Sequence, residues 1–175
     1  MQSPPVGRVG AVATAVTFFA GLVLSGGLTG CSSDPADVAG AFSISLTNRE
    51  NGCALTNWTV GAQSQGVPVT ITQNGATASA DVGGVGRIAL DLLLGNHVYQ
   101  GDVDGSDIAL KILGSRAGLQ GTCAYTLNSQ IDATLAGDAL AGTIKYTAAT
   151  NGNADCGTLT GCVSTQDFNG TRPPR

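Results

Sequence analysis

The chain predicts an all-β domain: an antiparallel up-and-down meander of about eight or nine strands, closed into a barrel or split into a two-sheet sandwich. Three observations carry that expectation. Only 11% of residues are charged while glycine numbers 26, and Thr, Ser and Asn fill the polar positions. That composition suits short strands and tight turns better than helices. Apolar residues recur with period two from Val67 to Ala148. Finally, Asn74-Gly75, Gly95-Asn96, Gly105-Ser106 and Gly137-Asp138 punctuate that alternation as two-residue hairpin turns would.

The elements follow in order. Residues 41–47 (Phe42, Ile44, Leu46) and 53–60 (Trp58, Val60) are candidate strands. The Asn51-Gly52 turn between them does not align Trp58 with Ile44, so a bulge or longer loop is required. Strands 67–73 and 76–82 meet at Asn74-Gly75, pairing Ile71 with Ala78, Val69 with Ala80 and Val67 with Val82. In 87–94, Ile88, Leu90, Leu92 and Leu94 alternate, and a Gly95-Asn96 turn would set Leu92 against Tyr99 and Leu90 against Gly101 in strand 97–103. Gly105-Ser106 pairs Val103 with Ile108, Gly101 with Leu110 and Tyr99 with Ile112 in strand 107–113. Gly137-Asp138 joins 123–135 to 139–148, pairing Leu135 with Leu140, Ala133 with Gly142, Ile131 with Ile144 and Leu127 with Ala148. A one-residue slip in any hairpin would set apolar against polar, so the facing of each strand is well specified. Gly114 to Thr122, with Arg116 and Gln120, is the longest interruption of the meander.

Consecutive hairpins of this kind favour closure, which removes the exposed edges of an open sheet. In topology the pattern resembles the small calycin barrels of the lipocalin and avidin type, though no stretch matches a sequence motif of either. Such barrels often hold a small molecule at the mouth.

The first residues give an address. Arg8 precedes an apolar stretch from Val9 to Leu24, followed by Leu28-Thr29-Gly30-Cys31. Basic, apolar and small residues in that order read as a secretory signal, too short and glycine-interrupted for a spanning helix. The four residues resemble the lipobox of bacterial lipoproteins, which implies acylation of Cys31 as the first residue of the mature chain and attachment to an envelope membrane. Ser32 follows; in such lipoproteins an Asp there would favour inner-membrane retention, so the outer membrane is the expected destination. The organisation is then a signal peptide at 1–30, a lipidated tether at 31–40, a barrel domain at 41–163 and a C-terminal tail at 164–175 outside the sheet.

Beyond residue 30 the chain carries seven Lys/Arg against twelve Asp/Glu, a net charge near −5. No basic patch exists, so nucleic-acid binding lacks its electrostatic footprint. With Cys31 acylated, Cys53, Cys123, Cys156 and Cys162 remain, an even number in an exported chain, hence two disulfides. Extending the Gly137-Asp138 hairpin brings Cys123 opposite Gly152, close to Cys156. This favours Cys123–Cys156 with Cys53–Cys162 over a local Cys156–Cys162 loop with Cys53–Cys123. Zinc is disfavoured, because no CxxC spacing occurs and the single His97 is remote in sequence.

Few motifs suggest chemistry. Asp102, Asp104 and Asp107 suit a hairpin turn, and a calcium loop would need a carboxylate where Leu113 stands. Gly84-Val85-Gly86-Arg87-Ile88-Ala89 matches the dinucleotide G-x-G-x-x-A, but the alternation of 87–94 reads as a strand where that fingerprint needs a helix. No G-x-S-x-G elbow accompanies His97, and Glu50 is the only glutamate. No catalytic set or cofactor motif emerges. Trp58, Tyr99, Tyr125 and Tyr146 are the large aromatics, the tyrosines all on the inferred apolar face. They either fill the core or line a cavity for a small apolar ligand. The expectation is therefore a non-enzymatic, lipid-anchored envelope protein binding a small apolar ligand or a partner surface. A purely structural lipoprotein and a secreted hydrolase are the alternatives.

Overall fold

A computed structural model describes residues 34–174. The expected signal peptide at 1–30 and the expected lipidation site Cys31 lie outside the described residues. Among the described residues nine strands and one α-helix run in the order β1 (Gly40–Asn51), β2 (Gln63–Asn74), β3 (Thr77–Val82), α1 (Gly84–Leu94), β4 (Val98–Asp104), β5 (Asp107–Ile112), β6 (Ala117–Gln120), β7 (Cys123–Ala136), β8 (Ala139–Thr150) and β9 (Val163–Thr171), with a 3₁₀ segment at Ala154–Leu159 before β9. Every pairing is antiparallel. Eight strands close a barrel in sequence order: β5 pairs with β7, Leu110 facing Ile131, and β9 returns to β1, Phe168 facing Leu46. Short β6 lies outside the ring, paired only to β7. The domain is thus an up-and-down barrel of the calycin kind in topology, and the sandwich alternative is excluded.

Alternation supplies the core. Phe42 and Ile44, Val67 and Ile71, Ala78 and Ala80, Ile108 and Leu110, and Leu140 and Ile144 are buried within one cluster, while their sequence neighbours face outward. Burying each larger aliphatic side chain stabilises by about 1.5–3 kcal/mol. Two hairpins hold the expected register: Val103 faces Ile108 and Gly101 faces Leu110, while Leu135 faces Leu140 and the β7–β8 ladder runs unbroken to Tyr125 and Thr150.

Five expectations are corrected. The β2–β3 hairpin is displaced by two residues, with Ile71 facing Ala80 and Val69 facing Val82. Its turn centres on Gly75-Ala76, with φ +60° at Gly75, so Asn74 stays in the ladder opposite Thr77. A shift of two leaves every side chain on its original face, so apolar patterning does not detect it. Residues 87–94 form the body of α1, not a strand, and the Gly95-Asn96 hairpin does not exist. Residues 53–60 are a loop, pinned by Asn51, whose side chain accepts from Leu55 N and donates to Leu55 O. The tail is not free: 164–171 belong to β9, which completes the barrel.

The stretch 36–39 is likewise no loose tether. Val38 is fully buried, its N–H donating to Gln73 Oε1. Buried Arg172 donates to the Asp37 and Ala39 carbonyls and pairs with Asp138 at 2.9 Å. This strap closes the end of the barrel where β1 starts. The opposite end carries α1 and both disulfides, Cys53–Cys162 and Cys123–Cys156, the connectivity favoured by register.

Candidate functional site

Helix α1 sits over the second end of the barrel because glycines let it. Gly83 N–H donates to Pro68 O at 2.8 Å, and Gly84 adopts φ +58° as the chain leaves β3. A Cβ at Gly86 would lie 2.9 Å from Cγ1 of both Val67 and Val82, so only glycine lets the first turn lie this close to β2 and β3. Leu90 and Leu94, one turn apart, face inward and are buried. Gly95 ends the helix in the left-handed conformation at φ +80°, its N–H donating to Asp91 O.

Beneath α1 the barrel is not filled. A cavity of about 350 Å³ lies between α1 and the inward faces of the strands, bounded by Ile71, Ile108, Ile131 and Leu140 deeper in the barrel and by Leu90 from the helix. Among its wall residues Val85, Ala89 and Ser64 are exposed, which places the opening between the first half of α1 and the start of β2. The small residues Ala80 and Ala133 line the wall and leave the space that larger side chains would take. The volume falls in the range of small-molecule sites.

Polar atoms gather at one level of this wall. Tyr99 and Ser129 share a hydrogen bond of 2.8 Å, and the Tyr146 hydroxyl donates to Gln166 Oε1 at 3.0 Å. Gln166 in turn donates to Asn48 Oδ1 at 2.7 Å. Burial pushes the Tyr99 hydroxyl up to about 12, against the pull of its hydrogen bonds with Ser129 and Tyr146. Burial also raises Tyr146 well above the usual tyrosine value, with the neighbouring Tyr99 adding to the effect. Among the described residues, none of those bounding the cavity carries a charged side chain.

The four expected aromatics separate. Tyr99 and Tyr146 line the cavity. Trp58 stands behind Tyr146, ring edge to face at 5.9 Å, its Nε1 donating to Arg49 O. Tyr125 is elsewhere, over Gly118 on the β6 side and against the disulfide cluster, and does not reach the cavity. Sequence reasoning missed Gln166 and the helix residues Val85, Gly86, Ala89 and Leu90. The i, i+4 spacing of Gly86, Leu90 and Leu94 was the available signal for the helix.

The remaining motifs resolve as structure. His97 Nδ1 lies 2.8 Å from Asp91 Oδ1, and Nε2 lies 3.7 Å from Asp81 Oδ1, so two carboxylates occupy its surroundings. The glycine motif at 84–89 does open a helix, which corrects its reading as a strand. That helix links β3 to β4, which are antiparallel neighbours, so the βαβ crossover of a dinucleotide site is not formed. Asp104 and Asp107 flank the β4–β5 turn, and Asp107 accepts from Thr134 Oγ1. Among the described residues no group of His, Cys, Asp or Glu is arranged to hold a metal ion. No protein-family model matches the chain, nor does any curated protein or any solved structure.

Proposed function

We propose that the chain is a lipid-anchored bacterial envelope protein whose barrel carries a small apolar ligand without chemically changing it. The observation that supports this reading most is the cavity of about 350 Å³ under α1, apolar over most of its wall and open at one side of the helix. A purely structural lipoprotein would gain stability by filling that space, since unfilled core volume is destabilising. Against a hydrolase stands His97, which meets Asp91 and Asp81 rather than a serine.

The anchor rests on Leu28-Thr29-Gly30-Cys31 and its apolar preceding stretch. Four residues lie between Cys31 and Ala36 in the strap, so five Cα-to-Cα steps give a reach of at most about 18 Å at ~3.5 Å per step. Acylation of Cys31 would therefore hold the strap end of the barrel close to the membrane, outer where the cell has two, and leave the cavity mouth at the far end. Replacing Cys31 with Ala should release the protein from membranes or leave it unprocessed; a Cys31→Ala chain still found with the membrane after fractionation defeats the anchor. Native mass spectrometry of the purified full chain should reveal a co-purifying small molecule, lost in Ala133→Leu, which fills the cavity. A wild-type chain that carries none, and takes up no apolar probe on titration, supports the structural reading instead.

A further inference from the structure

The cavity's chemistry narrows what can occupy it, and we infer that its ligand is an uncharged molecule with an apolar body and a single hydroxyl or carbonyl group, not a carboxylic acid. This inference rests on the ligand-carrying reading.

The wall is graded along the barrel axis. Leu140 lies beside the Gly137-Asp138 turn, at the strap end, and Tyr146 stands six residues further along β8, about 20 Å of strand away. Ile71, Ile108 and Leu140 surround the deeper part with carbon alone, whereas Tyr99, Tyr146 and Gln166 lie at the level nearer the helix. An occupant would place its apolar body toward the strap and its polar group among these three side chains.

The hydrogen bonds already made define what that group must be. Each phenol oxygen has one proton and two lone pairs, and the Gln166 amide has two N–H donors. The Tyr146 proton is committed to Gln166 Oε1, Tyr99 hydrogen-bonds both Ser129 and Tyr146, and one Gln166 N–H serves Asn48, which leaves one free lone pair on each phenol oxygen. What is left over is acceptor capacity on the phenol oxygens and a second N–H on Gln166. One hydroxyl, or one carbonyl, matches that remainder.

A carboxylate does not. Of the 22 described residues bounding the cavity none is Lys, Arg or His, so an anion would shed its water without gaining a counter-charge from them. The same surroundings hold Tyr99 neutral well beyond its usual range, which is the behaviour of a site that rejects negative charge.

The test uses a matched pair, nonanol and nonanoate, on the full chain reconstituted in phosphatidylcholine vesicles, with protein-free vesicles correcting for partition. Trp58 is the only tryptophan of the chain and abuts Tyr146, so its emission reports on the cavity, with titration calorimetry as a second readout. Nonanol should bind at least about a hundred-fold tighter than nonanoate at pH 7.5. The acid's apparent affinity should rise about tenfold for each pH unit lowered toward its own pKa of about 4–5, because only its neutral form enters. Equal binding of the two, or tighter binding of nonanoate, overturns the neutral-ligand inference and leaves the cavity a carrier. Failure of both to bind by either readout overturns the carrier reading and this inference together.

Discussion

Tyr99 and Tyr146 show how a single buried hydroxyl couples the site to stability. Both are buried, and burial raises both above the usual value, Tyr99 from 10.0 to about 12. Their neutral forms are the ones the fold favours. The stability they contribute is therefore intact below pH 10, and it is lost as pH rises from 10 through the folded value. Each such group weakens the fold by about 1.4 kcal/mol per pH unit across its window. Denaturant midpoints should be unchanged from pH 8 to 9 and fall steeply from pH 10 to 11.5. Tyrosinate absorbance from these two residues should appear only with unfolding; full, reversible titration near pH 10 in the folded barrel would refute their burial. Both tyrosines were legible as inward-facing from alternation. That they bond to Ser129 and Gln166 was not, because Ser129 stands on a strand across the barrel, 30 residues from Tyr99, and Gln166 falls in the segment that reads as a tail outside the sheet.

Helix α1 is where local pattern misled. Ile88, Leu90, Leu92 and Leu94 alternate like a strand, yet the same residues also offer Gly86, Leu90 and Leu94 at helical spacing. Leucine and alanine favour helix, β-branched residues are scarce here, and Gly95 supplies the stop signal. Over eleven residues the helical reading also buries Leu90 and Leu94 on the barrel end, which a strand outside the closed ring could not do. Gly95 carries this boundary. An alanine there would face φ +80° and place its Cβ 2.5 Å from Ser115 Oγ. Gly95→Ala should therefore destabilise by about 1 kcal/mol or more, read as a lowered thermal midpoint. An unchanged midpoint would show that the helix end has another way to close. Outward-facing Ile88 and Leu92 remain exposed on the helix, which is why its apolar content exceeded what its packing needs.

For the whole molecule, closure and cross-linking act together. The Cys53–Cys162 bond spans a separation of 109 residues and ties the β1–β2 loop to the start of β9, the strand that closes the ring. Cys123–Cys156 spans 33 and holds the 3₁₀ segment against β7. Loop-closure entropy assigns about 4–5 kcal/mol to the longer bridge and about 3–4 to the shorter. Removing Cys53–Cys162 by paired Ala substitution should therefore lower the denaturant midpoint more than removing Cys123–Cys156. The reverse order would mean that local anchoring of the 3₁₀ segment outweighs chain entropy.

The division between sequence and tertiary structure follows range. Strand facing, the β4–β5 and β7–β8 registers and the disulfide pairing were all readable from the chain, because period-two alternation and glycine turns act between near neighbours. Three features needed the folded molecule. Residues 164–171 became a strand only because β1 and β8 each offered them an unpaired edge. Val38 and Arg172, more than 130 residues apart in sequence, became a strap at one end because the barrel brought β1 and β9 together. The cavity itself is a property of how far apart the walls stand. Ala80 and Ala133 are compatible with a filled barrel or a hollow one, and eight strands around a ring with α1 resting on Gly86 leave them facing open space.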